Sequence, residues 1–174
     1  MVARLLLICL LVAPTFAAQA ATQKETRPKQ SAPDNGLGVT SKALQDGLQR
    51  FIKEEADCRA VNFEKVRTFK KGTVIRQKLE REGARLDMSL SISKAGTVSS
   101  ARFAAPTKDP AHLTVMLCAT YAAMRTLQPK GQGPEAARKA ALELWQGAQQ
   151  KPLARSFGGQ TFKAQMAPFE LNAF

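Results

Sequence analysis

The chain has 174 residues, 26 Lys and Arg against 14 Asp and Glu for a net charge of +12, 44% hydrophobic residues, three cysteines and one histidine. At about 150 residues per domain, this length holds one modest domain with flanking segments and excludes a large multidomain enzyme. The apolar content is too high for a wholly disordered chain and too interrupted for a polytopic membrane protein, which leaves a soluble globular domain whose positive charge suits anionic surroundings.

The chain opens MVARLLLICLLVAPTFAAQAAT, with one cation at Arg4, an apolar run over 5–12 and small residues ending Ala18-Gln19-Ala20. A charged start, a short apolar core and an A-x-A site form a secretory signal, so residues 1–20 are expected to be removed after Ala20. The apolar run is well short of the roughly 20 residues that span a bilayer, and Pro14 breaks it, so no membrane-spanning segment is expected after cleavage. Cys9 lies inside the apolar core behind Ile8, where a lipoprotein site needs a small residue. Export places the mature protein in the periplasm, with secretion as the alternative. Cleavage removes Arg4 and no acid, so the basic balance stays with the mature chain.

Cleavage also removes Cys9 and leaves Cys58 and Cys118. An even pair in an oxidising compartment favours a disulfide, which would close a loop of about 60 residues and stabilise by about 4 kcal/mol in the chain-entropy model. Two separate buried thiols or a redox pair are the rival readings, and a redox pair normally carries C-x-x-C spacing.

Residues 21–40 (ATQKETRPKQSAPDNGLGVT) are polar, without apolar periodicity, and read as a disordered linker before a single domain over 41–174. Ser41 is the expected N-cap of a first helix, whose Leu44, Leu48, Phe51 and Ile52 recur at helical spacing. The same face continued by threes and fours reaches Glu55 and Cys58. Residues 60–72 mix their periods and stay unassigned, while 73–81 read as a strand and Glu82-Gly83 as a turn. Leu86, Met88, Leu90 and Ile92 alternate with Asp87, Ser89, Ser91 and Ser93, the pattern of a strand with one face buried. Lys94-Ala95-Gly96 turns the chain into a returning strand over 97–103.

Asp109 and Pro110 are an N-cap and a first helical residue. Leu113, Met116, Leu117, Thr120, Tyr121, Met124 and Leu127, widened by Ala119, Ala122 and Ala123, then make a helix apolar enough to need covering on most sides. Cys118 sits in its middle and Pro129 stops it. A third helix runs from Pro134 to about Gln150, with Ala137, Ala141, Leu142, Leu144, Trp145 and Ala148 available for packing. The tail, with Gly158-Gly159 and then Phe162, Met166, Phe169, Leu171 and Phe174, is read as an extended edge segment docked on the domain, the alternative being a partner-binding tail.

Residues 88–129, MSLSISKAGTVSSARFAAPTKDPAHLTVMLCATYAAMRTLQP, order a strand, a glycine turn, a second strand and an alanine-rich helix closing near a proline. This stretch resembles the C-terminal domain shared by the energy-transducing envelope proteins TonB and TolA. Asp109-Pro110-Ala111 followed by Cys118 is similar to the TolA segment in which a helix cysteine is bridged to another cysteine. The chain differs in placing its other cysteine, Cys58, upstream near the end of the first helix. The resemblance implies an α+β protein–protein interaction domain in the periplasm.

Motifs for catalysis are sparse. His112, the only histidine, falls in a first helical turn, is expected to face solvent and has no G-x-S-x-G companion. No phosphate-loop or dinucleotide fingerprint occurs, and His112 with a cysteine pair does not make a closed zinc site. No cofactor or metal is expected. A carboxylate pair drawn from Glu54, Glu55, Glu80, Glu82, Asp87, Glu135 and Glu143 would suit glycoside hydrolysis, but nearly all stand among Lys and Arg as solubilising charges do.

The basic residues concentrate in one segment: Lys65, Arg67, Lys70, Lys71, Arg76, Lys78, Arg81 and Arg85, against Glu64, Glu80 and Glu82. If 73–81 is a strand, Arg76 and Lys78 share a face and form a cationic ridge, assigned to an anionic partner through Lys65, Arg67, Lys70, Lys71, Arg76 and Lys78. Lipopolysaccharide phosphate, anionic lipid or an acidic protein would suit it, or it is simply a solvated face. Nucleic acid ranks last, because export removes it and interleaved aromatics are missing. The expected fold is α+β, a small antiparallel sheet with helices packed on one face and one disulfide. The expected function is non-enzymatic: a periplasmic binding or adaptor protein, accessory to a cell-envelope or secretion assembly. An inhibitor or immunity-type protein and a small cell-wall hydrolase are the alternatives.

Overall fold

Alternating burial along the strands and near-complete burial of the central helix fix the architecture. The computed structural model describes residues 36–174, so the signal sequence lies outside the described residues. In chain order the elements are α1 (Ser41–Glu54), a short 3-10 turn (Ala56–Cys58), β1 (Asn62–Phe63), β2 (Arg67–Phe69), a second 3-10 turn (Lys70–Gly72), β3 (Val74–Arg81), β4 (Ala84–Ile92), β5 (Val98–Ala104), α2 (Pro110–Leu127), α3 (Pro134–Ala148), β6 (Leu153–Phe157), β7 (Gln160–Met166) and β8 (Phe169–Ala173).

The eight strands form one antiparallel sheet in the order β1-β3-β4-β5-β8-β7-β6, with β2 also paired to β3. Leu79, Leu86, Met88, Leu90, Phe103, Phe162, Ala164 and Leu171 all point to the helical side and are buried. α2 packs on β3 and β4 between α1 and α3, and α3 packs on β6 and β7. This position explains why α2 is buried almost all round, as its composition requires. The helices therefore lie on one face of an α+β fold. Cys58 and Cys118 are joined by a disulfide, with Cα atoms 5.6 Å apart.

Four sequence expectations need correction. The first cap is Thr40, whose hydroxyl accepts from the Ala43 amide at 3.2 Å, one residue before Ser41. The end of the expected linker is part of the domain. Leu37 is buried, its amide donates to Val98 O at 2.7 Å, and Val39 O accepts from the Val98 amide at 2.8 Å. The tail forms more than an edge segment. It supplies three strands, and β8 is inserted between β5 and β7, burying Phe169, Leu171 and Ala173, so that β6 is the edge. Leu142, read as a packing residue, is 45% exposed.

Glycine is required at two places, a turn and a helix contact. Glu82 (φ 52°) and Gly83 (φ 85°) are both left-handed, the two-residue hairpin geometry that matches strand twist. Gly47 of α1 lies so close to α2 that a Cβ there would stand 2.4 Å from Thr126 Cγ2. Among the described residues, no helix is long and apolar enough to cross a membrane.

Candidate anion-binding face of the sheet

Helices cover one face of the sheet, and the residues of opposite alternation form the other. On β3 these are Val74, Arg76, Lys78 and Glu80; on β4, Arg85, Asp87, Ser89 and Ser91; on β5, Ser100 and Arg102; on β7, Lys163. Register places Arg67 directly across from Arg76, Arg76 across from Ser89, and Ser89 across from Arg102. The same row continues through Asn172 to Lys163. One row of the open face thus carries Arg67, Arg76, Arg102 and Lys163 and no carboxylate. The next row holds Lys78 across from Asp87.

Both β1 and β2 pair with the same edge of β3, and between them three residues, 64–66, stand against only two of β3, Gln77 and Lys78. The Glu64 amide donates to Lys78 O at 2.9 Å, and Gln77 Nε2 donates to Glu64 O at 2.9 Å. Gln77 is buried, and its Oε1 has no partner among the described residues. Held in this way, β2 walls a concavity of about 380 Å³ over β3 and β4, lined by Lys65, Arg67, Phe69, Arg76, Lys78, Ser89 and Arg102 with Glu64 and Asp87. The Arg76 guanidinium lies 5.1 Å from the centroid of the Phe69 ring, a cation–π contact on the wall.

The charges on this face are unequally compensated. Arg102 Nε lies 2.7 Å from Glu170 Oε2, and Gln165 and Asn172 also donate to that carboxylate, so Arg102 is neutralised. Arg85 Nε is 2.9 Å from Glu80. Among the described residues, no carboxylate oxygen lies within 4.0 Å of Lys65, Arg67, Lys70, Lys71, Arg76 or Lys78.

Of the six residues assigned to the ridge, Lys65, Arg67, Arg76 and Lys78 share the concavity. Lys70 (φ 49°) and Lys71 (φ 53°) stand apart at the turn between β2 and β3, both in the left-handed region that long side chains rarely adopt. The Thr73 hydroxyl, donating to Lys70 O at 2.9 Å, helps to close that turn. Arg81 belongs to the other side of the sheet, where its Nη1 donates to Asp57 O at 2.6 Å. Sequence reasoning missed Phe69, Ser89, Arg102 and Gln77. The alternation of β4 and β5 already placed Ser89 and Arg102 on the outward face, whereas Phe69 and Gln77 depend on the unassigned pairing of β2.

A second concavity of about 490 Å³ lies on the helical side, lined by the disulfide, Leu117, Tyr121, Ala141 and Leu142 with Glu55, Arg81 and Arg138. Most of its charges are consumed locally: Arg138 Nη2 is 2.7 Å from Glu55, its Nη1 pairs with Glu135, and Arg81 pairs with Glu82 at 3.3 Å, while Asp57, also in the lining, has no basic group within 4.0 Å among the described residues. Burial, with Glu55 adding to it, pushes the Tyr121 hydroxyl above the usual phenol range. Of the carboxylates weighed for hydrolysis, six have a basic partner, among them Glu143 with Arg155 at 3.0 Å and Glu54 with Arg50 at 3.9 Å, whereas Asp87 has none within 4.0 Å among the described residues.

His112 departs from expectation. Its Nδ1 lies 2.9 Å from the Asp109 carboxylate, and its side chain is only 13% exposed instead of facing solvent. Among the described residues, no three His, Cys, Asp or Glu side chains come together as a metal site. No protein-family model, curated protein or solved structure matches the chain.

Proposed function

We propose that this chain is a non-enzymatic periplasmic binding or adaptor protein, accessory to a cell-envelope or secretion assembly, which engages an acidic partner through the open face of its sheet. The observation that carries the reading is the set of uncompensated cations on one face: Lys65, Arg67, Arg76 and Lys78 around a concavity, with Lys70 and Lys71 at the adjoining turn. Glu80, Glu170, Glu55 and Glu143 are each paired with a guanidinium elsewhere, so they do not neutralise these cations. Cations left in excess beside a wall raise the local potential and steer an anionic partner to it.

Export supports the location, since the signal over 1–20 and a Cys58–Cys118 bridge both suit an oxidising compartment. The resemblance of residues 88–129 to the TonB and TolA C-terminal domain supports a protein–protein interaction role. The partner classes are an envelope or secretion-system protein, anionic lipid or lipopolysaccharide.

The test is charge reversal of Lys70, Lys71, Arg76 and Lys78 to Glu in the full chain. Envelope association is expected to be abolished while the variant still unfolds cooperatively. Unchanged fractionation overturns the reading.

A further inference from the structure

We infer that the concavity walled by β2 is a pocket for a phosphomonoester group, held between Arg67 and Arg76. The inference rests on the proposal that the open face takes an acidic partner, and it names the chemistry recognised there.

Three observations lead to it. Arg67 and Arg76 stand directly across an antiparallel pair, an arrangement of like charges that is unfavourable in the free protein and is relieved by an anion between them. Their guanidinium groups are stiff forks suited to two oxygens each, and the Arg76 fork is stacked near the Phe69 ring, which limits its freedom. The lining also fixes the ligand's charge. With Arg102 neutralised by Glu170, the cations Lys65, Arg67, Arg76 and Lys78 face Glu64 and Asp87, leaving an excess of two positive charges. A phosphomonoester carries between about −1.5 and −2 at neutral pH and presents three acceptor oxygens, which fits that excess; a carboxylate or phosphodiester carries a single charge. Ser89, between Arg76 and Arg102 in register, adds a hydroxyl at the floor.

Free inorganic phosphate and the exposed monoester of a lipid share a near-dianionic phosphate with three or more acceptor oxygens, and two arms separate the sources. In one arm the exported, full mature chain is titrated with inorganic phosphate by calorimetry. In the other it is floated with phosphatidylcholine vesicles doped with phosphatidic acid, a monoester, or with phosphatidylglycerol, a diester. Expected are saturable one-to-one phosphate binding, capture by phosphatidic acid vesicles above phosphatidylglycerol vesicles, or both. Saturation without vesicle capture assigns the pocket to a soluble phosphate; capture without saturation assigns it to a lipid.

The R67K/R76K variant conserves every charge but loses both forks, and should weaken whichever binding is seen by about tenfold or more. K130Q, in the exposed loop between α2 and α3 and away from this face, should leave it unchanged. Absence of binding in both arms, equal binding by wild type and R67K/R76K, or an equal loss in K130Q overturns the pocket. Because R67K/R76K keeps the positive field, those results leave the acidic-partner reading standing; that reading fails instead on envelope association unaltered by the Glu reversals.

Discussion

The indole of Trp145 donates its Nε1 hydrogen to the Thr120 hydroxyl at 2.9 Å, and that hydroxyl donates in turn to Met116 O at 2.8 Å. Thr120 is fully buried in α2 and Trp145 is buried in α3, while the Trp145 ring meets Phe169 of β8 edge-on at 5.1 Å. One polar chain therefore joins two helices, and its aromatic end reaches the C-terminal strand. T120V keeps the volume but leaves the indole N–H buried without a partner, which should cost about 1–3 kcal/mol. Urea unfolding of the variant checks this, and a stability equal to wild type would remove the bond from the account.

The disulfide ties the turn after α1 to the middle of α2. For a closed loop of about 60 residues, the chain-entropy model gives about 4 kcal/mol. The C58A/C118A double variant should lose stability of that order in denaturant titrations. A loss below about 1 kcal/mol would show that the bridge adds little to the packing of α1 on α2.

Gly47 of α1 packs directly against Thr126 of α2. Thr126 Oγ1 is held by its bond to Ala122 O at 2.8 Å, so its side chain does not swing aside freely. G47A should therefore destabilise by about 1–3 kcal/mol through overpacking, although Ala is the better helix former. A raised melting temperature would contradict so tight a crossing.

Asp109 caps α2 by accepting from the His112 amide at 2.9 Å, and it also accepts from the Thr107 hydroxyl at 2.7 Å. These bonds, the amide first, hold its carboxyl well below the usual carboxylate range. A depressed folded-state pKa adds stability that is fully present above the unfolded value of about 4 and is lost as pH falls through the folded value. The deficit of D109A against wild type should accordingly shrink as pH falls below about 4. A deficit that does not change with pH would show that the ionised cap is not what holds the first turn.

Much of the fold can be read in the order of residues because burial here follows strict local periods. Leu86, Met88 and Leu90 announce β4, Glu82-Gly83 the turn before it, and Asp109-Pro110 the start of α2. β1 and β2 were hidden because each is only two or three residues long and owes its place to β3 and to the Gln77–Glu64 bond, both distant in sequence. β6 to β8 escaped for a related reason: Phe162, Ala164, Phe169 and Leu171 alternate only briefly, and the place of β8 beside β5 is set by long-range pairing. The ridge was legible through the spacing of Arg76 and Lys78. Its opposition to Arg67 and the neutralisation of Arg102 by Glu170 exist only once register joins strands far apart in the chain.

The central claim is that the partner docks on the open face and not on the helical side. Site-specific photo-crosslinking tests it most directly, with a photoreactive residue replacing Ser91 on the open face or Leu142 beside the helical concavity, in cells producing the full chain. Crosslinks to an envelope component from position 91 and none from position 142 are predicted. Crosslinks from position 142 alone would contradict the account.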